Sequence, residues 1–225
     1  MDLEIKLYYF GIAGKGEAIR LALKYAGIEF EDYKFADFDE FNKMKESGEL
    51  MFGQVPALKV TNKASGKPPA ILTQSAAILR FISKISPHTE LCPKCPIQAA
   101  YADAILDQEA DAFQSIRVCT YADRFGFGQV DEAVIKKCKE EINEKVIPKH
   151  FELLEKQLEK GGTGWLAGTE KPTIADFQWA GILPAIKAGW TGKKWDMTVY
   201  PKLNAMHSVK KQSREISKKY KNQRL

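Results

Sequence analysis

The chain has 225 residues, enough for one large domain or two modest ones, and enough to bury a sizeable core. Hydrophobic residues at 44% and charged residues at 28% give the ordinary globular balance, which excludes wholesale disorder and collagen-like repeats. The net charge of +5 is local: from Lys210 to Leu225 seven basic residues face one acid, leaving the rest of the chain at −1 and no case for a nucleic-acid surface.

In chain order, Ile5, Leu7 and Tyr9 alternate with Lys6, Tyr8 and Phe10. This period of two predicts a strand, which Gly11 and Gly14 break. Ile19, Ala22, Leu23 and Ala26 recur at three and four residues and predict a helix that stops at Gly27. Strands are expected over 29–35, 55–60 and 70–72, with a turn over 62–69 carrying Gly66 and two prolines. Ser75 is expected to cap a helix that puts Ile78, Ile82 and Ile85 on one face. The order β-α-β, a long loop, then β-β-α predicts a mixed sheet with helices packed on it, occupying residues 1–86.

Pro87, Pro93 and Pro96 mark residues 87–96 as a linker, and beyond it no strand is expected. Helical spacing runs over 97–121 and 131–160, with Pro148 predicted to kink the second run and Gly161-Gly162 to end it. Thr173, followed three residues later by Asp176, forms a carboxylate version of the capping box. Residues 97–225 therefore read as an all-helical domain. No apolar stretch reaches the roughly 18 to 20 residues of a membrane helix, and charges interrupt the N-terminus, so a cytoplasmic protein with no membrane partner is expected.

Cys92, Cys95, Cys119 and Cys138 are too few and too irregular for a disulfide framework and are expected to be reduced. Cys92-Pro93-Lys94-Cys95 supplies two zinc ligands at most. His88 is the only third ligand nearby, so no metal site is expected.

Four motifs in one order resemble the cytosolic glutathione S-transferase family of the tyrosine type. They are Leu7-Tyr8-Tyr9-Phe10 with Gly14-Lys15-Gly16-Glu17-Ala18-Ile19-Arg20, Phe52-Gly53-Gln54-Val55-Pro56-Ala57-Leu58, Thr73-Gln74-Ser75-Ala76-Ala77-Ile78, and Thr173-Ile174-Ala175-Asp176-Phe177. The resemblance implies a thioredoxin-like N-terminal domain followed by the all-α domain. It also implies an enzyme that attacks hydrophobic electrophiles with the glutathione thiolate. Reduced glutathione would be a co-substrate, and no further cofactor would be used.

A free thiol with a pKa near 8.5 is only roughly 3% ionised at pH 7. Lowering that pKa by two units requires about 2.7 kcal/mol of anion stabilisation. One hydrogen bond to a charged acceptor supplies about 1.5 to 3 kcal/mol, so a single well-placed hydroxyl nearly suffices. The resemblance selects Tyr9 as that donor, with Tyr8 on the opposite face of the strand.

As glutathione-binding positions the resemblance implies Tyr9, Lys15, Phe41, Lys45, Gln54, Val55, Pro56, Gln74, Ser75 and Asp111. Pro56 would be a cis-proline presenting the Val55 backbone to the cysteinyl part, and Gln74 and Ser75 would meet the γ-glutamyl carboxylate at a helix N-terminus. Phe41 and Lys45 stand where family members bind the glycine end, Phe replacing Trp. Asp111 would reach the γ-glutamyl amine across a homodimer, and Phe52 would be the aromatic key inserted into the partner. The sequence departs from the tyrosine-type pattern at Ala13-Gly14-Lys15, where many members have Arg-Gly-Arg. The electrophile is expected between the domains, near Ile12, Ala13, Ile105, Gln108, Trp190, Trp195 and Tyr220. Other readings of the same motifs are a non-catalytic protein of this fold that binds hydrophobic ligands or serves structurally, and a glutathione-dependent peroxidase or isomerase.

Overall fold

The computed structural model describes residues 2–86, 91–206 and Val209. Strand β1 (Leu3–Tyr9) lies centrally in a four-stranded sheet, parallel to β2 (Glu31–Lys34) on one side and antiparallel to β3 (Ala57–Asn62) on the other. β4 (Ala70–Thr73) continues antiparallel beyond β3. The alternation read in β1 is kept in space: Ile5, Leu7 and Tyr9 are buried and Leu3, Lys6 and Tyr8 partly exposed. On its face Tyr8 meets Tyr33 at a ring separation of 5.3 Å.

Helix α1 (Gly14–Tyr25) crosses from β1 to β2 and packs against α3 (Ser75–Ile85), which buries Ile78, Leu79 and Ile82. The long loop expected between the second and third strands holds a helix of its own, α2 (Phe38–Glu46). It has no fully buried residue: its apolar side chains Phe38, Phe41 and Met44 recur every three residues but stay exposed or half-buried. Its start is tied reciprocally instead: the Glu40 N–H donates to Asp37 Oδ1 at 2.8 Å, and the Ala36 N–H donates to Glu40 Oε2 at 2.8 Å.

From Pro96 onward every described element is helical: α4 (Pro96–Thr120), a 3₁₀ turn (Ala122–Phe125), α5 (Glu132–Glu141), α6 (Ile147–Gly161), α7 (Ile174–Lys187), a short 3₁₀ turn (Met197–Val199) and α8 (Pro201–Ala205). The break expected at Pro148 takes the form of a π-helical turn, Ile142–Val146, between α5 and α6. Pro148 itself sits in the first turn of α6, where its missing N–H breaks no bond within that helix.

Two apolar cores organise the chain. The first joins β1, α1 and α3 to Leu106, Ile174, Ala175, Phe177 and Ala180 from the helical half. The second lies within the helical half, around Phe113, Phe151, Trp179 and Trp195. Helix α7 serves both, and its buried capping box anchors it. Asp176 accepts from the Thr173 N–H at 2.7 Å, the Thr173 hydroxyl at 3.0 Å and the Leu166 N–H at 2.8 Å. Where α7 crosses α1, Gly181 lies against Ala18 so closely that a Cβ on Gly181 would be 2.6 Å from the Ala18 nitrogen. No described helix is long and apolar enough to cross a membrane.

Candidate active site

Tyr9 ends β1 at the floor of a cleft of about 820 Å³ between the sheet half and the helical half. The next turn holds it from two directions. The Lys15 N–H donates to Tyr9 Oη at 3.0 Å, at the start of α1. Gly14 and Gly16 lie against the ring: a Cβ at Gly14 would come to 2.5 Å from Tyr9 Oη, and one at Gly16 to 2.4 Å from Cδ1. Neither glycine can carry a side chain unless Tyr9 moves.

Buried Arg20 clamps the connecting loop. It donates Nε to both oxygens of Asp32 at 2.9 and 3.1 Å, Nη1 to the Ile12 carbonyl at 2.8 Å and Nη2 to the Phe10 carbonyl at 3.0 Å. Its charge also faces the Tyr9 ring, 5.7 Å from the centroid. Burial pushes the Tyr9 hydroxyl above its ordinary pKa, against the opposing pull of the Lys15 N–H and the Arg20 charge. Near neutrality Tyr9 therefore stays protonated and keeps a proton to donate.

The Lys15 ammonium turns away from Tyr9 toward the helical half, onto the carboxylate of Glu109 in α4. Glu109 is 1% exposed and also accepts from Arg117 Nη2 and, at 2.9 Å, from Gln178 Nε2 of α7. One buried carboxylate thus binds α1, α4 and α7 together beneath the cleft. Two cations against one carboxylate leave this cluster at +1. Burial lowers the Lys15 pKa, and Glu109 opposes that shift.

Across from Tyr9 the wall is peptide and helix end. The Val55–Pro56 peptide is cis. Gln54, Val55, Pro56, Gln74 and Ser75 line the cleft with Tyr9 and Lys15. Gln74, with φ of 70°, takes the N-cap position expected of Ser75, and Ser75 becomes the first residue of α3. A non-glycine residue with positive φ costs on the order of 1 to 3 kcal/mol, and such positions cluster at ligand sites. Here the turn sets the N-terminus of α3 against the cleft, where free amides favour an anion.

The other expected positions lie outside this lining. Phe41 sits in an aromatic cluster, 5.5 Å from the Phe10 ring and 5.7 Å from that of Phe35. Lys45 is exposed, and its stem runs over Gly53, beside Gln54. Asp111 is exposed on α4. Phe52 is 57% exposed and its neighbour Met51 71%. Of the positions expected near an electrophile, Ile12, Ala13 and Trp190 line the cleft. Trp195 instead packs on Phe151 in the second core, 5.2 Å between rings, and Gln108 Nε2 donates to His150 Nδ1 at 2.8 Å. Tyr220 and His88 lie outside the described residues. The cleft gains residues that sequence reading passed over, among them Arg117, Tyr121, Arg124 and Phe125. Among the described residues no group of three His, Cys, Asp or Glu side chains could hold a metal.

The family of glutathione S-transferase N-terminal domains matches residues 5–84, and that of glutathione S-transferase C-terminal domains matches residues 125–224. Glutathione S-transferase 1 of Ascaris suum is 32% identical over 193 residues, which are 83% of this chain and 85% of that protein. The chain belongs to the glutathione S-transferase family. Its enzymatic class is glutathione transferase. A nematode-specific transferase from Caenorhabditis elegans has a crystal structure that superposes with a TM-score of 0.74 at 29% identity, covering 99% of this transferase and 98% of its own chain. The hematopoietic prostaglandin D synthase of Gallus gallus is 30% identical over 174 residues, 77% of this chain and 75% of its own. The fold of this transferase is the one its motifs implied, a mixed-sheet thioredoxin-like half followed by a helical half.

Proposed function

We propose that reduced glutathione lies along the sheet-side wall of the cleft with its sulfur against Tyr9 Oη. The observation that carries this reading is Tyr9 itself: a buried, protonated hydroxyl at the cleft floor, held by the Lys15 N–H. In this reading the Tyr9 O–H donates to the thiolate, and the bond from the Lys15 amide polarises it further toward donation. The Val55 backbone pairs with the cysteinyl unit as an added strand would, and the cis Val55–Pro56 bond supports that presentation. The γ-glutamyl carboxylate meets Gln74 and Ser75, Gln54 reaches the peptide, and Lys45 takes the glycine carboxylate. Phe41 backs the loop above it.

The +1 cluster of Lys15, Arg117 and Glu109 adds a favourable field for the thiolate. Lys15 therefore acts through its backbone N–H and this shared charge. The thiolate then attacks a hydrophobic electrophile held by Ile12, Tyr121, Phe125 and Trp190, in the role of a detoxifying enzyme of the cytoplasm. The reaction uses no other cofactor.

The working form in this reading is a homodimer. Two adjacent exposed apolar side chains, Met51 and Phe52, form a patch suited to burial in a partner, and Asp111 of the second subunit reaches the γ-glutamyl amine. Steady-state conjugation of glutathione to 1-chloro-2,4-dinitrobenzene tests the catalytic assignment. Tyr9→Phe should lower kcat about ten- to a hundredfold with the KM for glutathione nearly kept, whereas unchanged turnover overturns it.

A further inference from the structure

The described residues include four arginines, and three of them are already paired with carboxylates: Arg20 with Asp32, Arg80 with Asp103 and Asp107, and Arg117 with Glu109. Arg124 makes no ion pair among the described residues, yet it lines the cleft. The described cleft lining holds Lys15, Arg117 and Arg124 and no acidic side chain. Because Glu109 engages both Lys15 and Arg117, Arg124 is, among the described residues of the cleft, the cation left for a ligand.

Its placement is built. The 3₁₀ turn Ala122–Phe125 follows the end of α4 directly, and Gly126, in the left-handed region at φ 81°, closes it. The closing bonds run from the Gly126 N–H to the Asp123 carbonyl at 3.0 Å and from the Phe127 N–H to the Ala122 carbonyl at 3.1 Å. In such a turn, residues three apart stand over one another. Within this turn Phe125 stands over Ala122, and Tyr121, Arg124 and Phe125 all line the cleft. Arg124 belongs to the helical wall, across from the Gln54 and Ser75 side where glutathione is placed.

We propose that Arg124 is a specificity-determining residue that binds a carboxylate on the electrophile, so that this transferase prefers amphipathic acids over neutral acceptors. The proposal rests on the transferase reading of the cleft. Tyr121 and Phe125 hold the apolar body of the acceptor, and the planar Arg124 guanidinium takes the carboxylate with two parallel hydrogen bonds. With an enone acid the chemistry is a conjugate addition. The thiolate sulfur forms a bond to the β-carbon, the electrons of the C=C bond move onto the carbonyl oxygen, and the resulting enolate takes a proton from water at the α-carbon. No group leaves, no oxidant is consumed, and the carboxylate stays unchanged at the far end.

The test compares ethacrynic acid, a vinyl ketone bearing a carboxylate, with its primary amide, on the full chain with glutathione saturating. The ratio of kcat/KM for acid over amide should exceed one in the wild type. It should fall about five- to tenfold in Arg124→Gln, with a smaller fall in Arg124→Lys and a loss in high salt. An equal fall for acid and amide, or an unchanged ratio, overturns the carboxylate role while leaving the transferase intact. Failure of the wild type to conjugate either compound or 1-chloro-2,4-dinitrobenzene would instead remove the transferase reading and this proposal with it.

Discussion

At the scale of single residues, Tyr9 owes its position to two absent side chains. Gly16 needs no positive φ, so Gly16→Ala is a purely steric change that drives a Cβ to within 2.4 Å of the Tyr9 ring and must displace it. A displacement near 1 Å at a reacting group costs up to about a hundredfold in rate. Gly16→Ala should therefore lower kcat at least tenfold while far-UV circular dichroism stays that of the wild type. Normal turnover would mean that the ring position is not critical. Tyr9, Gln54, Val55, Pro56, Gln74 and Ser75 were legible because each sits in a short contiguous motif, and local chain geometry brings them to one cleft. Glu109 was not legible. In sequence it is one acid among Asp103, Asp107 and Asp111 along α4, and its partners Lys15 and Gln178 lie 94 and 69 positions away. Nothing local marks which of these carboxylates is buried.

Among elements, α7 is the one on which the two halves meet. Its contact with α1 depends on Gly181, where an added Cβ would lie 2.6 Å from backbone nitrogen and 2.9 Å from Cα of Ala18. Backbone cannot step aside as a flexible side chain can, so Gly181→Ala should cost about 1 to 3 kcal/mol, read as a lowered urea midpoint. Retained stability would show that the helices slide apart freely. The strands and the long helices were legible from their periods, and α2 was not. Phe38–Glu46 has no fully buried residue, so its signals were slight: the Asp37-to-Glu40 spacing of its N-terminal capping and a short apolar run, Phe38, Phe41 and Met44, at three-residue spacing. The π turn before α6 shows the same limit: Pro148 announces an interruption, but whether it appears as a bend or as Ile142–Val146 winding wider depends on packing.

Over the whole molecule, the sequence division near residue 86 is not a division of the core. Leu106, Ile174 and Phe177 sit in the same cluster as Ile5, Leu7 and Ile78, and the Phe177 and Tyr25 rings lie 5.2 Å apart. Asp176, at the start of α7, makes this shared core sensitive to pH. Burial pushes its carboxyl from 3.8 up to about 6 against its three hydrogen-bond donors. Between those two values the folded chain keeps a proton that the unfolded chain has released. The stability from this group is therefore full below pH 3.8 and lost as pH rises through about 6, by roughly 3 kcal/mol in all. Urea unfolding of wild type and Asp176→Asn should show the advantage of the wild type shrinking from pH 4 to 6.5. An advantage that grows over this range would place the folded pKa below the unfolded one.

In the proposed mechanism all three scales serve one chemical end, a protonated Tyr9 hydroxyl that donates to the glutathione sulfur. The thiolate of bound glutathione absorbs in the ultraviolet, so its ionisation can be titrated directly on wild type and on Tyr9→Phe. The wild-type complex should ionise about two pH units below the free thiol, and Tyr9→Phe should return most of that shift, about one to two units. The same apparent pKa in both complexes would contradict the assignment of Tyr9 as the group that stabilises the thiolate.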